Sequence, residues 1–86
     1  MGEPMTDQDL IHRIHSDPAV LAGKPVIRGT RLSVDFILGL LGRSATPEEI
    51  LEEYEGLRME DVRACLLFAA RSIGSTSFLP LALDSA

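Results

Sequence analysis

The chain has 86 residues, a hydrophobic content of 45% and a net charge of −5 at pH 7, with one cysteine and no tryptophan. This length fits one domain, and Cys65 alone excludes both an internal disulfide and a zinc site built on cysteines. The negative charge argues against a nonspecific nucleic-acid binder, and the lack of a secretory signal or a run of roughly 20 apolar residues predicts a cytoplasmic protein without membrane spans.

The N-terminal part of the chain gives weak structural signals. Residues 1–9 are polar, and we interpret them as a flexible leader in which Thr6 is a candidate helix cap. Residues 10–16 fit a helical turn and a strand equally well. We therefore begin the folded domain at residue 10.

The next segment predicts a short β-hairpin. Pro25 suits the start of an edge strand, and Gly29 suits a tight turn, so we expect Val26–Ile27 to fold back on Arg31–Leu32. Guanidinium and hydroxyl groups near such a tip can bind a phosphate, a carboxylate or an acidic partner, although they also solubilise an exposed hairpin. The candidate binding residues of this segment are Lys24, Arg28, Thr30 and Arg31.

Two helices are predicted after the hairpin. The first runs from Val34 to about Leu41 with Ser33 as its N-cap, and it is apolar on nearly all sides. We therefore expect the hairpin or a second subunit to cover it. The second helix begins with Pro47 inside a capping box formed by Thr46 and Glu49.

A third helix is predicted from about Met59 to Ser72. Its predicted core-facing residues are Val62, Cys65, Leu66, Ala69 and Ile73, and Leu67 and Phe68 outside this stripe suggest a partner surface. The second and third helices have the lengths of a helix-turn-helix. We predict a mainly α fold over residues 10–73, a homeodomain-like three-helix helix-turn-helix domain with a short N-terminal β-hairpin, followed by an apolar C-terminal tail over residues 74–86.

Residues suited to catalysis or metal binding are sparse. His12 and His15 are three apart, but no nearby side chains complete a tetrahedral metal site. Cys65 lies on an apolar stripe and is interpreted as a small buried hydrophobic residue. We therefore predict a protein that is not an enzyme and has no metal or cofactor.

Two segments resemble the domain-of-unknown-function 433 family. They are Gly23-Lys24-Pro25-Val26-Ile27-Arg28-Gly29-Thr30-Arg31 and Pro47-Glu48-Glu49-Ile50-Leu51-Glu52-Glu53-Tyr54, within a likeness that covers about residues 10–72. The resemblance implies a homeodomain-like helix-turn-helix and the role of antitoxin in a bacterial toxin–antitoxin pair, whose usual partner is a small PIN-like ribonuclease. This chain departs from the family pattern at Ser44, Glu55 and Arg58, and Arg58 is a poor N-cap.

Three binding functions follow as expectations. In the first, the protein is an antitoxin that neutralises a PIN-like ribonuclease toxin and represses its own operon. Its tail would then fold onto the toxin through Phe78, Leu79, Leu81 and Leu83. The alternatives for the tail are a strand or loop that packs back on its own domain and a disordered end, and the sequence leaves both open.

In the second, the protein is a stand-alone transcriptional regulator that contacts DNA through Arg58, Arg63 and Arg71, with help from Lys24, Arg28 and Arg31. Glu60 and Asp61 at the start of the third helix oppose this function. In the third, the chain is a dimeric interaction module without DNA binding. A homodimer is expected in each case because the core is small.

Overall fold

The computed structural model describes residues 5–19 and 21–74, and this part of the chain is mainly helical. Its helices are α1 (Asp7–Ile11), α2 (Val34–Gly42), α3 (Pro47–Glu53) and α4 (Met59–Gly74), and its strands are β1 (Ile14–His15) and β2 (Val26–Ile27). The three helices predicted from the sequence are present, and α1 is an additional helix. None of the helices in the described part combines the length and the hydrophobicity of a membrane span.

The starts of α2 and α3 agree with the predicted caps. The Ser33 hydroxyl accepts a hydrogen bond from the Phe36 N–H at 3.2 Å. Before α3, Thr46 Oγ1 accepts from the Glu49 N–H at 3.1 Å, and Glu49 Oε1 accepts from the Thr46 N–H at 2.8 Å. The predicted capping box is therefore confirmed, and it satisfies N–H groups that have no partner within the helix.

Helix α1 includes residues 7–9, which the sequence analysis assigned to a flexible leader. Thr6 caps this helix through a second capping box, in which Thr6 and Asp9 exchange two hydrogen bonds of 3.1 Å. Hydrogen bonding from the backbone and side chain of Thr6 holds the pKa of the Asp9 carboxyl below its ordinary value. Leu10 is buried and α1 packs against α4, so the folded domain extends further towards the N-terminus than predicted.

β2 has a strand partner that was not predicted, in addition to the predicted return of the chain after Ile27. β2 pairs with β1 in an antiparallel sheet, with Ile14 opposite Ile27 and His15 opposite Val26. Arg31–Leu32, the predicted partner, forms no strand. The β1–β2 pair places Ile14 and Ile27 together in the core. The other edge of β2 meets the returning chain in an isolated antiparallel bridge between Val26 and Ser33, so the predicted return is present in part.

The chain nevertheless turns back tightly after β2. The Ile27 N–H donates to the Leu32 carbonyl at 3.0 Å, and the Ile27 carbonyl accepts from the N–H and the hydroxyl of Thr30 at 3.0 and 2.8 Å. Thr30 Oγ1 also accepts from the Leu32 N–H at 3.0 Å. Gly29 has φ +85°, in the left-handed region that favours glycine, as the predicted tight turn requires.

Helix α4 contacts the three other helices and β1, and so forms one wall of the core. The core cluster comprises Leu10, Ile14, Ile27, Val34, Ile37, Ile50, Leu57, Ala64 and Cys65. On α4 the predicted stripe is wrong at Leu66 and Ile73, which are 49% and 59% exposed. The predicted Val62 and Cys65 are buried, and the inward face also includes Asp61, Ala64 and the partly buried Phe68.

Candidate partner-binding surfaces

A buried carboxylate fixes the corner between α3 and α4. Asp61 is 5% exposed, its Oδ2 accepts from the Arg58 N–H at 2.9 Å, and its Oδ1 accepts from Arg13 Nη1 at 2.9 Å. Arg58 precedes the first turn of α4, and its guanidinium cannot accept a hydrogen bond from the helix N-terminus. The Asp61 carboxylate instead accepts from the Arg58 backbone N–H. One side chain thus ties the α3–α4 corner to the segment between α1 and β1.

This position of Asp61 corrects the expectation that its charge opposes arginines on an exposed face of α4. The carboxylate points inward and is paired with the Arg13 guanidinium. Glu60 remains partly exposed beside it. One of the two negative charges that argued against nucleic-acid binding at the start of α4 is therefore neutralised within the fold.

The turn that carries Arg28 lies next to the same corner. The Arg28 N–H donates to the Arg13 carbonyl at 2.7 Å, and Arg28 Nε donates to the His12 carbonyl at 2.9 Å. The residues around an adjoining cavity of about 370 Å³ are Met5, Asp9, His12, Arg13, Arg28, Gly29 and Asp61. We call Arg13, Arg28 and Arg58 the basic corner, since these residues are joined through the hydrogen bonds of Asp61 and of the Arg13 carbonyl.

The other polar residues predicted in the hairpin have different surroundings. Lys24 Nζ lies 3.3 Å from Asp35 Oδ2 in an exposed ion pair. Hydrogen bonding from Ser33, followed by that from Lys24, lowers the pKa of the Asp35 carboxyl. The Thr30 hydroxyl is occupied by two hydrogen bonds within its own turn. Arg31 is exposed and forms no ion pair within residues 5–19 and 21–74.

Arg63 and Arg71 lie on the side of α4 that faces α1. Arg71 Nη2 is 3.7 Å from Asp7 Oδ2, and both side chains are at least half exposed, which is the geometry of a weak surface pair. Arg63 is exposed and borders a surface pocket together with Asp7 and Leu10. The structure therefore does not gather all seven predicted contact residues into one patch. It links Arg28 to the Arg13 carbonyl, and it links the Arg58 backbone to the Arg13 side chain through Asp61.

An apolar groove lies between α2 and the C-terminal half of α4. Its volume is about 390 Å³, and its lining residues are Lys24, Pro25, Val34, Asp35, Leu38, Phe68, Ala69, Ser72 and Ile73. We call it the α2–α4 groove. The charged Lys24–Asp35 pair stands at its edge, while Leu38 and Phe68 are partly buried. The apolar walls fit an apolar segment.

The predicted toxin-binding residues lie outside the described part of the chain. They are Phe78, Leu79, Leu81 and Leu83. Helix α4 ends at Gly74, directly after the groove residue Ile73. Gly74, the last described residue, therefore follows directly on a residue of the α2–α4 groove.

Sequence reasoning missed Arg13 and misinterpreted Asp61. A local signal for Asp61 was present, because it stands three residues after Arg58, where a capping box places an acidic side chain. No local pattern could link it to Arg13, which is 48 residues away in the chain. The basic corner therefore becomes visible in three dimensions and not in the sequence.

Cys65 and the two histidines lie in different elements of the fold. Burial raises the pKa of the Cys65 thiol from 9.0 to about 12, with a further contribution from the Asp61 charge, and the predicted buried position of Cys65 is confirmed. His12 is the C-cap of α1, whereas His15 lies in β1, so they do not share a helix. Within residues 5–19 and 21–74, no group of three His, Cys, Asp or Glu side chains is arranged to bind a metal.

Comparison with known proteins identifies the family. The model of the DUF433 family, described as a protein of unknown function, matches residues 14–69. The chain belongs to the DUF433 family. A crystal structure of a DUF433 member from Anabaena variabilis ATCC 29413 at 2.00 Å resolution is similar, with a TM-score of 0.69 and 28% sequence identity, covering 86% of this chain and 79% of that chain. No curated protein matches the chain.

Proposed function

We propose that this DUF433 protein is an antitoxin that binds and neutralises a PIN-like ribonuclease toxin. The observation that carries the proposal is the α2–α4 groove, which has apolar walls and includes Ile73, one residue before the end of α4 at Gly74. The groove exposes apolar side chains at the surface of the domain, and such exposed apolar patches are typical of protein-interaction sites. The family resemblance of the sequence supplies the chemical class of the partner.

The charge of α3 supports a basic partner. Its exposed face carries Glu48, Glu49, Glu52 and Glu53. A ribonuclease needs a positively charged surface to hold RNA, and an acidic helix complements such a surface in sign. We therefore infer that α3 steers the partner and that the groove and tail provide the apolar contacts.

The test uses the ribonuclease-like protein encoded next to the gene of this protein. We expect RNA cleavage by that purified ribonuclease to fall as the antitoxin is added, with loss of inhibition after deletion of residues 75–86. The variant Ala69→Glu places a charge in the groove and should weaken inhibition, whereas Ala70→Glu on the exposed neighbouring position should not. Full ribonuclease activity in the presence of excess wild-type protein would contradict the proposal.

A second candidate function, DNA binding, is favoured by the basic corner. We infer that α3 and α4 serve as the helix-turn-helix of a homeodomain-like unit and that Arg28 and Arg58 contact phosphates beside it. The inward position of Asp61 supports this inference, because its charge is neutralised by Arg13. Such binding would allow autoregulation of the operon or an independent regulatory role.

Fluorescence anisotropy with the duplex upstream of the gene tests this candidate. Replacing Arg28 and Arg58 by Ala should weaken binding and reduce the salt slope by roughly one for each lost phosphate contact. Arg71→Ala is the matched control, because Arg71 pairs with Asp7 away from the basic corner. Equal binding by the double variant and the control would exclude the basic corner as the DNA contact.

We also propose that the protein is a cytoplasmic homodimer without enzymatic activity. The exposed apolar side chains Phe36, Leu66 and Ile73 support self-association, including the alternative of a dimeric interaction module that does not bind DNA. The high pKa of the Cys65 thiol supports a non-catalytic role, because a nucleophilic cysteine needs a lowered pKa. Sedimentation equilibrium of the full chain measures the oligomeric state directly.

A further inference from the structure

We propose that residues 78–83 of the same chain dock in the α2–α4 groove when no partner is bound. The sequence of this segment is Phe-Leu-Pro-Leu-Ala-Leu, which contains no charge and carries four large apolar side chains. The groove has apolar walls and is formed by Pro25, Val34, Leu38, Phe68, Ala69 and Ile73. Segment and groove therefore match in polarity.

The C-terminal end of α4 lies beside the groove, so this contact can form within one molecule. α4 ends at Gly74, and Ile73 already lines the groove. The α4 wall of the groove from Phe68 to Ile73 is about 7.5 Å long at the helical rise. The four residue steps from Gly74 to Phe78 reach up to about 14 Å, so Phe78 can return along the whole of that wall.

The same tether favours the tail of this chain over a second copy. A segment linked through three residues, Ser75, Thr76 and Ser77, has an effective concentration in the mM range, well above the concentration of another molecule in a dilute solution. One buried Phe side chain favours the docked state roughly ten- to a hundredfold, before the loss of chain entropy is counted. Pro80 reduces that loss, because its φ angle is fixed before docking.

Docking of this kind would have a regulatory consequence. The tail would cover the groove in the free protein, and a partner that binds the groove or the tail would have to displace this contact. This inference does not depend on the identity of the partner, and it goes beyond the proposed antitoxin function.

The test uses the full chain with Phe78→Trp as a fluorescent probe. The chain has no native tryptophan, so all tryptophan emission comes from position 78. We expect emission shifted to shorter wavelength and protected from iodide quenching. Ala69→Glu within the groove should remove both effects, and the matched variant Ala70→Glu should retain them.

Two further measurements make the result decisive. Leu79→Asp, added to the Phe78→Trp chain, should expose the probe without any change in the groove, which covers the case in which Ala69→Glu fails to fold. Tenfold dilution should leave the emission unchanged.

Solvent-like emission of the Phe78→Trp protein, a blue shift that survives both Ala69→Glu and Leu79→Asp, or emission that changes on dilution would each overturn the proposal. The ribonuclease assay tests the antitoxin proposal independently, so that proposal does not depend on whether the tail docks in the groove.

Discussion

Asp61 shows how one side chain can join two parts of a small domain. Its two oxygens accept from the Arg58 backbone at the α3–α4 corner and from the Arg13 side chain near the N-terminal end of the fold. The carboxylate is nearly inaccessible to water, whereas the Arg13 side chain is 27% exposed. Burying the Asp61 carboxylate without the Arg13 guanidinium would cost free energy, so the hydrogen bond to the Arg58 N–H depends on the pairing with Arg13.

We predict that Asp61→Asn lowers the free energy of unfolding by about 1–3 kcal/mol, the range expected for loss of charge-assisted hydrogen bonds. The shape of the side chain is kept, so the effect reports its charge. Urea denaturation followed by circular dichroism measures it, and Glu60→Gln, at the adjacent and partly exposed position, serves as the control. Equal stability of Asp61→Asn and wild type would show that the ion pair contributes nothing.

At the scale of elements, the sequence was informative where the determining residues are neighbours. The caps Ser33 and Thr46 and the turn at Gly29 each depend on contacts within about four residues, and all three were predicted. The pairing of β1 with β2 was not predicted, because residues 10–16 carry no unambiguous period. The basic corner was missed because it depends on a contact between Arg13 and Asp61, which are far apart in the sequence.

Two glycines in different elements should respond in opposite ways to replacement by alanine. Gly29→Ala places a Cβ at φ +85° and should destabilise the protein by about 1–2 kcal/mol, although no atom blocks the Cβ. Gly42→Ala lies in α2 with open space around its Cβ and should stabilise by about 0.4–1 kcal/mol. Thermal or urea unfolding of both variants measures the contrast, and a destabilised Gly42→Ala or an unaffected Gly29→Ala would contradict it.

At the scale of the whole molecule, the domain combines a small shared core with an uneven surface. In the part of the chain that the structure describes, four helices and a two-stranded sheet contribute to an apolar cluster, and Cys65 lies at 0% exposure within it. The outside carries an acidic α3, a basic corner and the apolar α2–α4 groove. Composition correctly indicated one small core, but the placement of these surfaces depends on packing that the sequence does not display.

The buried thiol predicts how global stability changes at alkaline pH. The pKa of Cys65 is raised to about 12 in the fold from an ordinary 9.0, so the unfolded chain loses this proton first as the pH rises. The contribution of the thiol to stability is complete below pH 9 and is lost progressively between pH 9 and about 12. The protein should therefore become easier to unfold in that window.

Comparison with Cys65→Ala isolates this effect from other titrating groups. We expect the difference in free energy of unfolding between wild type and Cys65→Ala to shrink above pH 9 by up to about 1.4 kcal/mol per pH unit. Urea titrations at several pH values from 7 to 11 give this difference. A constant difference across the range would mean that the thiol does not remain protonated in the fold.

The link between Arg13 and Asp61 also defines where the chain can be shortened. The family match begins at residue 14, one position after Arg13. A fragment trimmed to that boundary would keep Asp61 and lose its guanidinium partner, together with Leu10 and the whole of α1. We therefore expect a fragment that begins at residue 14 to be less stable than one that begins before the Thr6 cap.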